Sequence, residues 1–220
     1  MAVGERPMGQ HSSVTQSIGR RLRVVFQRSG DPEVGSTLPG DAGPARNLLP
    51  LLEFVAYAED CVLYGRVRLA AERLTDMLNS HDEFQLVDVM VERMDGRGAI
   101  EAREVLVRRD ELLLVHATGP RGNLARRTRT REHPLAVRIG PYDVRGSLHA
   151  FPGHDPLTTI LRRKPMVPMT DAWIEYLAGG ERRRRRVGAL IVNREQIDTV
   201  AHAVDEWSEL PDLPFRADNS

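Results

Sequence analysis

The sequence predicts a mainly β fold of the α+β class, built from two tandem copies of a small four-stranded β module that each contain one short helix. Three observations predict it: an internal repeat, runs that alternate apolar and polar residues, and turn-forming glycines between those runs. The 220-residue chain is 41% hydrophobic and 28% charged, which is ordinary globular composition. Because a copy of about 55 residues has a marginal core, we expect the two copies to pack together with pseudo-twofold symmetry.

The internal repeat consists of short segments that occur twice in the same order. LTDML at residues 74–78 matches LTTIL at 157–161, and VRRDEL at 107–112 matches VNREQI at 192–197. Ten residues after each LT segment comes an aspartate, and a glutamate follows four residues later. Because the offset between matched segments rises only from 81 to 85, we interpret the pattern as a duplication with two short insertions.

Each copy is expected to begin with a strand around a glycine, which is Gly65 in the first copy and Gly146 in the second. A short helix, a second strand and a pair of strands joined by a tight turn follow. The predicted strands are Cys61–Leu69, Phe84–Glu92, Glu104–Arg108 and Leu112–Ala117 in the first copy, and Val144–Ala150, Met169–Tyr176, Gly188–Val192 and Ile197–His202 in the second.

The helix of the second copy has a clear predicted start. Asp155 is a natural N-cap, and Pro156 suits the first helical position. Leu157, Ile160 and Leu161 would then share one face of the helix. The LTDML segment places its apolar residues in the same way, and its Asp76 is expected to serve local helix chemistry.

The ends of the chain differ in composition from the core. The first 50 residues are rich in proline and glycine and contain one short apolar stretch, Ser17–Gln27, which could dock as a strand or a short helix. The predicted boundaries are 1–48 for a mostly disordered extension, 49–118 for the first module, 119–140 for a basic linker, 141–203 for the second module, and 204–220 for a short acidic helix (Ala203–Leu210) and tail.

Several protein classes are excluded by the composition. The single cysteine, Cys61, rules out an intramolecular disulfide framework and a multi-cysteine metal site. No apolar run approaches the roughly 18 residues of a membrane span, and the first residues lack the apolar core of a signal peptide. We therefore expect a cytoplasmic protein, and we predict no cofactor, metal site or catalytic residue.

Six segments resemble those of an uncharacterised bacterial family described only as a domain of unknown function. They are AEDCVLYGRVRL, RLTDMLN, LVDVMVER, GPRG, IGPYDVRG and MVPMTDA. The resemblance covers about residues 54–202 and implies no activity, ligand or catalytic residue. Each copy also resembles, loosely, the small barrels of Sm-like proteins, but its helix lies between strands rather than before them. That analogy concerns the fold and implies no function.

The repeated carboxylates are the first candidate site. In the predicted strand 84–92, alternation places Val87, Val89 and Val91 on one face and the acidic residues on the other. If the pseudo-twofold axis brings the two equivalent strands together, four carboxylates could converge on a hard cation. A solvated strand face or pairing with arginine is the alternative. The four residues are Asp88, Glu92, Asp171 and Glu175.

Two arginine-rich segments are candidate anion or nucleic-acid sites. Thirty of the 31 basic residues are arginine, which we attribute to a GC-rich coding sequence, so the number of arginines alone is not counted as a sign of nucleic-acid binding. Within a segment, however, arginine side chains suit phosphate, and nearby glycines let backbone amides approach an anion. A solvated linker and a solvated hairpin are the alternatives. The candidates are Arg121, Arg126, Arg127, Arg129 and Arg131 in the first segment, and Arg182, Arg183, Arg184, Arg185 and Arg186 in the second.

Charge is divided along the chain although its formal net charge is zero. Residues 51–117 carry 8 basic and 14 acidic side chains, whereas residues 118–190 carry 15 basic and 6 acidic ones. We therefore expect a non-enzymatic assembly or adaptor module that associates with itself or with another protein through its oppositely charged copies. The alternatives are nucleic-acid binding through the arginine-rich segments and a small anionic ligand, such as a nucleotide, held between the modules.

Overall fold

Antiparallel strands dominate the structure, a computed structural model that describes residues 14–17, 23–26, 49–120 and 128–203. The prediction of a mainly β fold is therefore confirmed. We call residues 49–120 the first half and residues 128–203 the second half. The N-terminal hairpin consists of β1 (Val14–Ser17) and β2 (Arg23–Phe26).

One succession of elements occurs in both halves: two strands, a helix, two strands, a 3₁₀ turn and a last strand. The first half contains β3 (Leu51–Tyr57), β4 (Cys61–Arg68), α1 (Leu74–Ser80), β5 (Glu83–Arg93), β6 (Ala99–Arg108), the turn Arg109–Glu111 and β7 (Leu114–His116). The second half contains β8 (Arg131–Ile139), β9 (Tyr142–Ala150), α2 (Pro156–Arg162), β10 (Met166–Ala178), β11 (Glu181–Asn193), the turn Arg194–Gln196 and β12 (Thr199–His202).

The strands of both halves belong to a single open sheet with the order β12-β8-β9-β10-β11-β7-β3-β4-β5-β6. The halves meet where β11 pairs with β7, with Leu190, Ile191 and Val192 opposite His116, Val115 and Leu114. Strands β6 and β12 stand at the two ends of the described sheet, so the closed small barrel of the Sm-like analogy is not observed there.

Each half has five strands rather than the predicted four. The strands that the sequence analysis missed are β3 and β8, which lie in equivalent places at the start of each half. Strand β8 falls inside the segment 119–140 that was predicted to be a linker. Its first residues are charged and include Pro134, and buried residues alternate only from Leu135 through Val137 to Ile139. The short alternating stretch after an arginine-rich segment explains why it was overlooked.

A β-bulge interrupts β5 at Asp88 and β10 at Asp171. Both residues have left-handed backbone conformations, with φ angles of 50° and 47°. The bulge shifts the register on each strand, and so Leu86 and Val89 both face the core while Val87 is partly exposed. The prediction that Val87 shares a face with Val89 is therefore wrong, because regular alternation does not continue through a bulge.

The second helix begins as predicted. Asp155 accepts hydrogen bonds from the backbone amides of Leu157 and Thr158, at 3.4 and 2.8 Å, and Pro156 occupies the first turn. The predicted apolar face is only partly correct, since Ile160 is buried whereas Leu161 is 54% exposed. Both helices have seven residues, and no helix in the described ranges is long and apolar enough to cross a membrane.

The described residues form two hydrophobic cores, and the second crosses the boundary between the halves. The first core consists mainly of residues of the first half. The second core includes Tyr57, Val62 and Leu114 of the first half together with Tyr142, Tyr176 and other residues of the second. The face of β3 and β4 that carries Tyr57 and Tyr64, here called the outer face of these two strands, is thus covered by the second half. This contact fixes the two halves against each other.

The chain ends lie mostly outside the described residues. The predicted helix over Ala203–Leu210 lies beyond the described residues after Ala203. Of the predicted N-terminal extension, only β1 and β2 are described. Strand β2, which falls within the stretch predicted to dock, lies beside β6 but in a ladder separate from the large sheet.

Candidate functional site

The repeated carboxylates of the first half bind arginines instead of converging with those of the second. Asp88 pairs with Arg66 on the neighbouring strand. Glu92 lies 2.7 Å from the Nη1 atom of Arg183 and accepts a hydrogen bond of 3.1 Å from the hydroxyl of Tyr64. Glu92 therefore forms part of the contact between the halves.

The carboxylates of the second half are also paired with arginines. Glu175 lies 2.6 Å from Arg182 and 3.0 Å from Arg184, and Asp171 lies 4.0 Å from Arg186. Within the described ranges, no group of three or more His, Cys, Asp or Glu side chains could hold a metal ion. The hypothesis that the four carboxylates share a cation is therefore wrong. Each of them is paired with arginine, which was the alternative.

The five consecutive arginines of β11 are divided between two faces of the sheet. Arg182, Arg184 and Arg186 lie on the outer face, opposite Leu177, Glu175 and Trp173 of β10. The guanidinium carbon of Arg184 is 4.3 Å from the Trp173 ring centroid, and that of Arg186 is 5.8 Å away. Because these arginines bind carboxylates and an indole ring, the run is not a single free basic patch.

Arg183 and Arg185 point the other way, toward the first half. Arg183 binds Glu92, and the guanidinium of Arg185 lies 5.6 Å from the ring centroid of Tyr64. The turn between β10 and β11 also reaches the first half, since the Gly179 amide donates to the Met94 carbonyl at 2.8 Å. This side of β11 is therefore an internal interface.

An aromatic cluster lies where the halves join. The ring of Tyr57 is 5.3 Å from that of Tyr142, 5.7 Å from that of Tyr176 and 5.5 Å from the imidazole of His116. The Tyr57 hydroxyl and His116 Nε2 form a hydrogen bond of 3.0 Å, and the Tyr142 hydroxyl donates to the Ala58 carbonyl at 2.6 Å. Burial raises the pKa of both tyrosines, so they are uncharged at neutral pH.

Two asparagines complete the junction by bonding to backbone groups of the opposite half. The Asn79 amide donates to the Met166 carbonyl at 2.9 Å and accepts from the Met166 amide at 3.0 Å. Asn193, which is 1% exposed, donates to the Leu112 carbonyl at 2.9 Å. These bonds satisfy backbone groups that strand pairing leaves open.

The remaining candidates do not form a site in the described residues. Cys61 is fully buried, which raises its pKa to about 12 and makes it a poor nucleophile. Arg129 and Arg131 are exposed. The other predicted residues of that basic segment, Arg121, Arg126 and Arg127, lie outside the described residues.

A recess of about 150 Å³ between the two 3₁₀ turns is lined by acidic side chains. It holds Glu59, Asp60, Asp110, Glu111 and Asp198. Such a lining repels the anionic ligand that was considered for the space between the modules. The alternative of a nucleotide held there is therefore not favoured by the charge of this recess.

Protonation of His116 should destabilise the protein below neutral pH. Burial, followed by the charge of Arg185, lowers the pKa of His116 from 6.5 to about 4. The unfolded state therefore binds this proton more readily. The stabilisation by the neutral imidazole is complete above pH 6.5 and is lost as the pH falls toward 4.

We expect about 3 kcal/mol of unfolding free energy to depend on this group, because one pKa unit corresponds to about 1.4 kcal/mol. The free energy of unfolding, measured in urea at successive pH values, should fall less steeply between pH 6.5 and pH 4 for His116→Gln than for wild type. Replacing the exposed His154 with glutamine is the control. An unchanged slope in His116→Gln would contradict the assignment.

Comparisons with protein families, curated proteins and solved structures found no match for the chain. The resemblance to an uncharacterised bacterial family therefore stays a prediction.

The residues that join the halves were not among those predicted from the sequence. Tyr57 and Tyr64 stand on the outer face of β3 and β4, whereas the matching positions of the second half, 81 residues later, are Arg138 and Arg145. Aromatic residues in one half and arginines at the matching positions of the other were the available signal that only one of these faces is covered.

Proposed function

We propose that the protein is a cytoplasmic, non-enzymatic assembly module whose two halves are copies of one ancestral unit and whose opposite charges bring copies of the chain together. The observation that carries the proposal is the open sheet, with a strand of the acidic half at one end and a strand of the basic half at the other. A sheet end presents backbone donors and acceptors to a further strand.

The common origin of the halves is supported by details that a chance likeness in sequence would not produce. The same five strands, helix and 3₁₀ turn follow each other twice, with the same neighbours in the sheet. The bulges fall on Asp88 and Asp171, which the sequence repeat matches. Gly65 and Gly146 lie against these bulges in both halves.

The nature of the residues also favours association over catalysis. The predicted site carboxylates and four of the five arginines of β11, all but Arg185, are engaged in ion pairs, most of them exposed, and such pairs rarely carry chemistry. What distinguishes the halves is their net charge. Oppositely charged surfaces steer association and determine which ends meet.

Light scattering on the full chain tests the proposal. We expect a mass above the 24.7 kDa of one chain at about 0.1 M salt and a decrease toward that mass at about 1 M, where the Debye length falls from about 10 to about 3 Å. A single-chain mass at both salt concentrations would overturn the proposal.

A matched pair of charge variants gives the measurement a control. Glu101 is exposed on the end strand β6, and Glu53 is exposed on the interior strand β3 of the same half. Glu101→Gln should weaken association several-fold at low salt, because it removes a negative charge beside the acidic end of the sheet. Glu53→Gln makes the same change away from that end and should leave association unchanged.

A further inference from the structure

The internal junction shows how two halves of this kind join. Strand β7, the last strand of the first half, pairs with β11, the fourth strand of the second half. At its centre Val115 lies opposite Ile191, and both side chains are 0% exposed. The contact is thus a short antiparallel ladder around one buried apolar pair.

The two ends of the sheet carry the same two kinds of strand. Strand β6 is the fourth strand of the first half, as β11 is of the second, and β12 is the last strand of the second half, as β7 is of the first. With the offset of 85 that relates these segments, Ile191 corresponds to Leu106 and Val115 corresponds to Val200. Leu106 is 40% exposed, an unusual exposure for a large apolar side chain whose counterpart is fully buried.

We propose that β12 of one chain pairs with β6 of a second copy of the same chain in the register of the internal junction, with Val200 opposite Leu106. This inference rests on the proposed function and names its surface and partner. Pairing of this kind is head to tail, because the two surfaces differ. It therefore continues from copy to copy as a ring or a filament.

Charge complementarity favours this orientation of the two copies. Strand β6 belongs to the half with 14 acidic and 8 basic side chains, whereas the second half, residues 128–203, which includes β12, carries 13 basic and 8 acidic ones. The outer face of the second half carries Arg138 and Arg145, at the positions where Tyr57 and Tyr64 of the first half receive their neighbour. The junction between copies is therefore more polar than the internal one and more sensitive to salt.

The N-terminal hairpin is the competing neighbour of β6. Strand β2 lies beside β6, but it pairs with β1 in a separate sheet. It therefore forms no strand pairing with the edge of β6. A second copy that pairs with β6 would meet this hairpin. The experiment below distinguishes a second copy paired with β6 from a hairpin that occupies the edge of β6.

Disulfide trapping in the full chain tests the pairing. Directly opposed residues of an antiparallel ladder have Cα atoms about 4.5 to 5.5 Å apart, which a disulfide can span. Under mild oxidation at low salt, the double variant Leu106→Cys/Val200→Cys should form covalent multimers of increasing size. Reducing agent should convert them back to single chains. The native Cys61 is buried and does not compete.

The control is Leu106→Cys/Ala201→Cys, in which a one-residue shift turns the second cysteine to the other face. It should form at least tenfold less multimer. Equal trapping in both variants, or trapping in Leu106→Cys alone, would overturn the pairing. So would association in light scattering without any trapping, the result expected if the hairpin holds β6. A single-chain mass at every salt concentration would instead overturn the proposed function itself.

Discussion

Replacing Tyr57 with alanine should reduce the free energy of unfolding by about 3 to 5 kcal/mol, the usual cost of removing a large buried aromatic side chain. Tyr57 is 0% exposed, and its ring touches those of Tyr142, Tyr176 and His116. The residue lies in the first half but packs in the core of the second. The cavity left by the truncation would therefore open at the junction of the halves.

Urea unfolding, followed by circular dichroism and by tryptophan fluorescence, measures this effect. Tyr57→Phe is the control, because it keeps the ring contacts and removes only the hydroxyl, which bonds to His116 and also interacts with Arg185, at a cost of about 1 kcal/mol. Since the second core contains residues of both halves, the two signals should report one transition in wild type. A loss below 1 kcal/mol in Tyr57→Ala would show that the halves do not share a core.

The glycines beside the two bulges should respond to alanine in a graded way. A Cβ atom at Gly146 would lie 3.1 Å from the Thr170 carbonyl and 3.2 Å from the Ala172 Cα, which are backbone atoms that cannot move aside. At Gly65 the nearest atom is the Val89 side chain at 3.2 Å, which can yield more easily, and the backbone atoms are slightly farther away, with the Val87 carbonyl oxygen at 3.3 Å. We expect Gly146→Ala to lose about 2 kcal/mol and Gly65→Ala about 1 kcal/mol.

Gly188 on β11 provides the matched control for these substitutions. Nothing lies within 4 Å of a Cβ atom there. Gly188→Ala should therefore be neutral, or stabilise the protein by up to about 1 kcal/mol by restricting the unfolded chain. If thermal or urea unfolding gave the same change at all three positions, close backbone approach at the bulges would not be the reason for glycine.

Much of the fold could be predicted because its signals are local and occur twice. The cap at Asp155 and the proline after it start a helix whatever surrounds them. The segment from Asn193 to Leu210 resembles a capped helix when read alone, and only comparison with the first half indicates the strand that the structure has at residues 199–202. The bulge at Asp88 left no such signal, because aspartate is also an ordinary residue on an exposed strand face.

The site could be predicted less well, since it depends on how the halves meet. The spacing of the residues suggested that Glu92 and Glu175 lie together. In the structure Glu92 pairs with Arg183 and Glu175 with Arg184, and these two arginines lie on opposite faces of β11. The contacts of Asn79 with Met166 and of Asn193 with Leu112 span 87 and 81 residues, and no local pattern marks them. Pairing over such separations is a property of the tertiary structure.

The proposal that copies join head to tail is tested most directly by mixing two variants that are each blocked at one end. Leu106→Arg places a charge on β6 at the position equivalent to Ile191, which is fully buried at the internal junction. Val200→Arg places a charge on β12 at the position equivalent to Val115, which is buried opposite Ile191. Each variant, once its folding is confirmed by circular dichroism, should remain a single chain of 24.7 kDa at low salt. An equimolar mixture should form a dimer of one of each, because one intact β6 and one intact β12 remain. Continued association of either variant alone, or no dimer in the mixture, would contradict head-to-tail assembly.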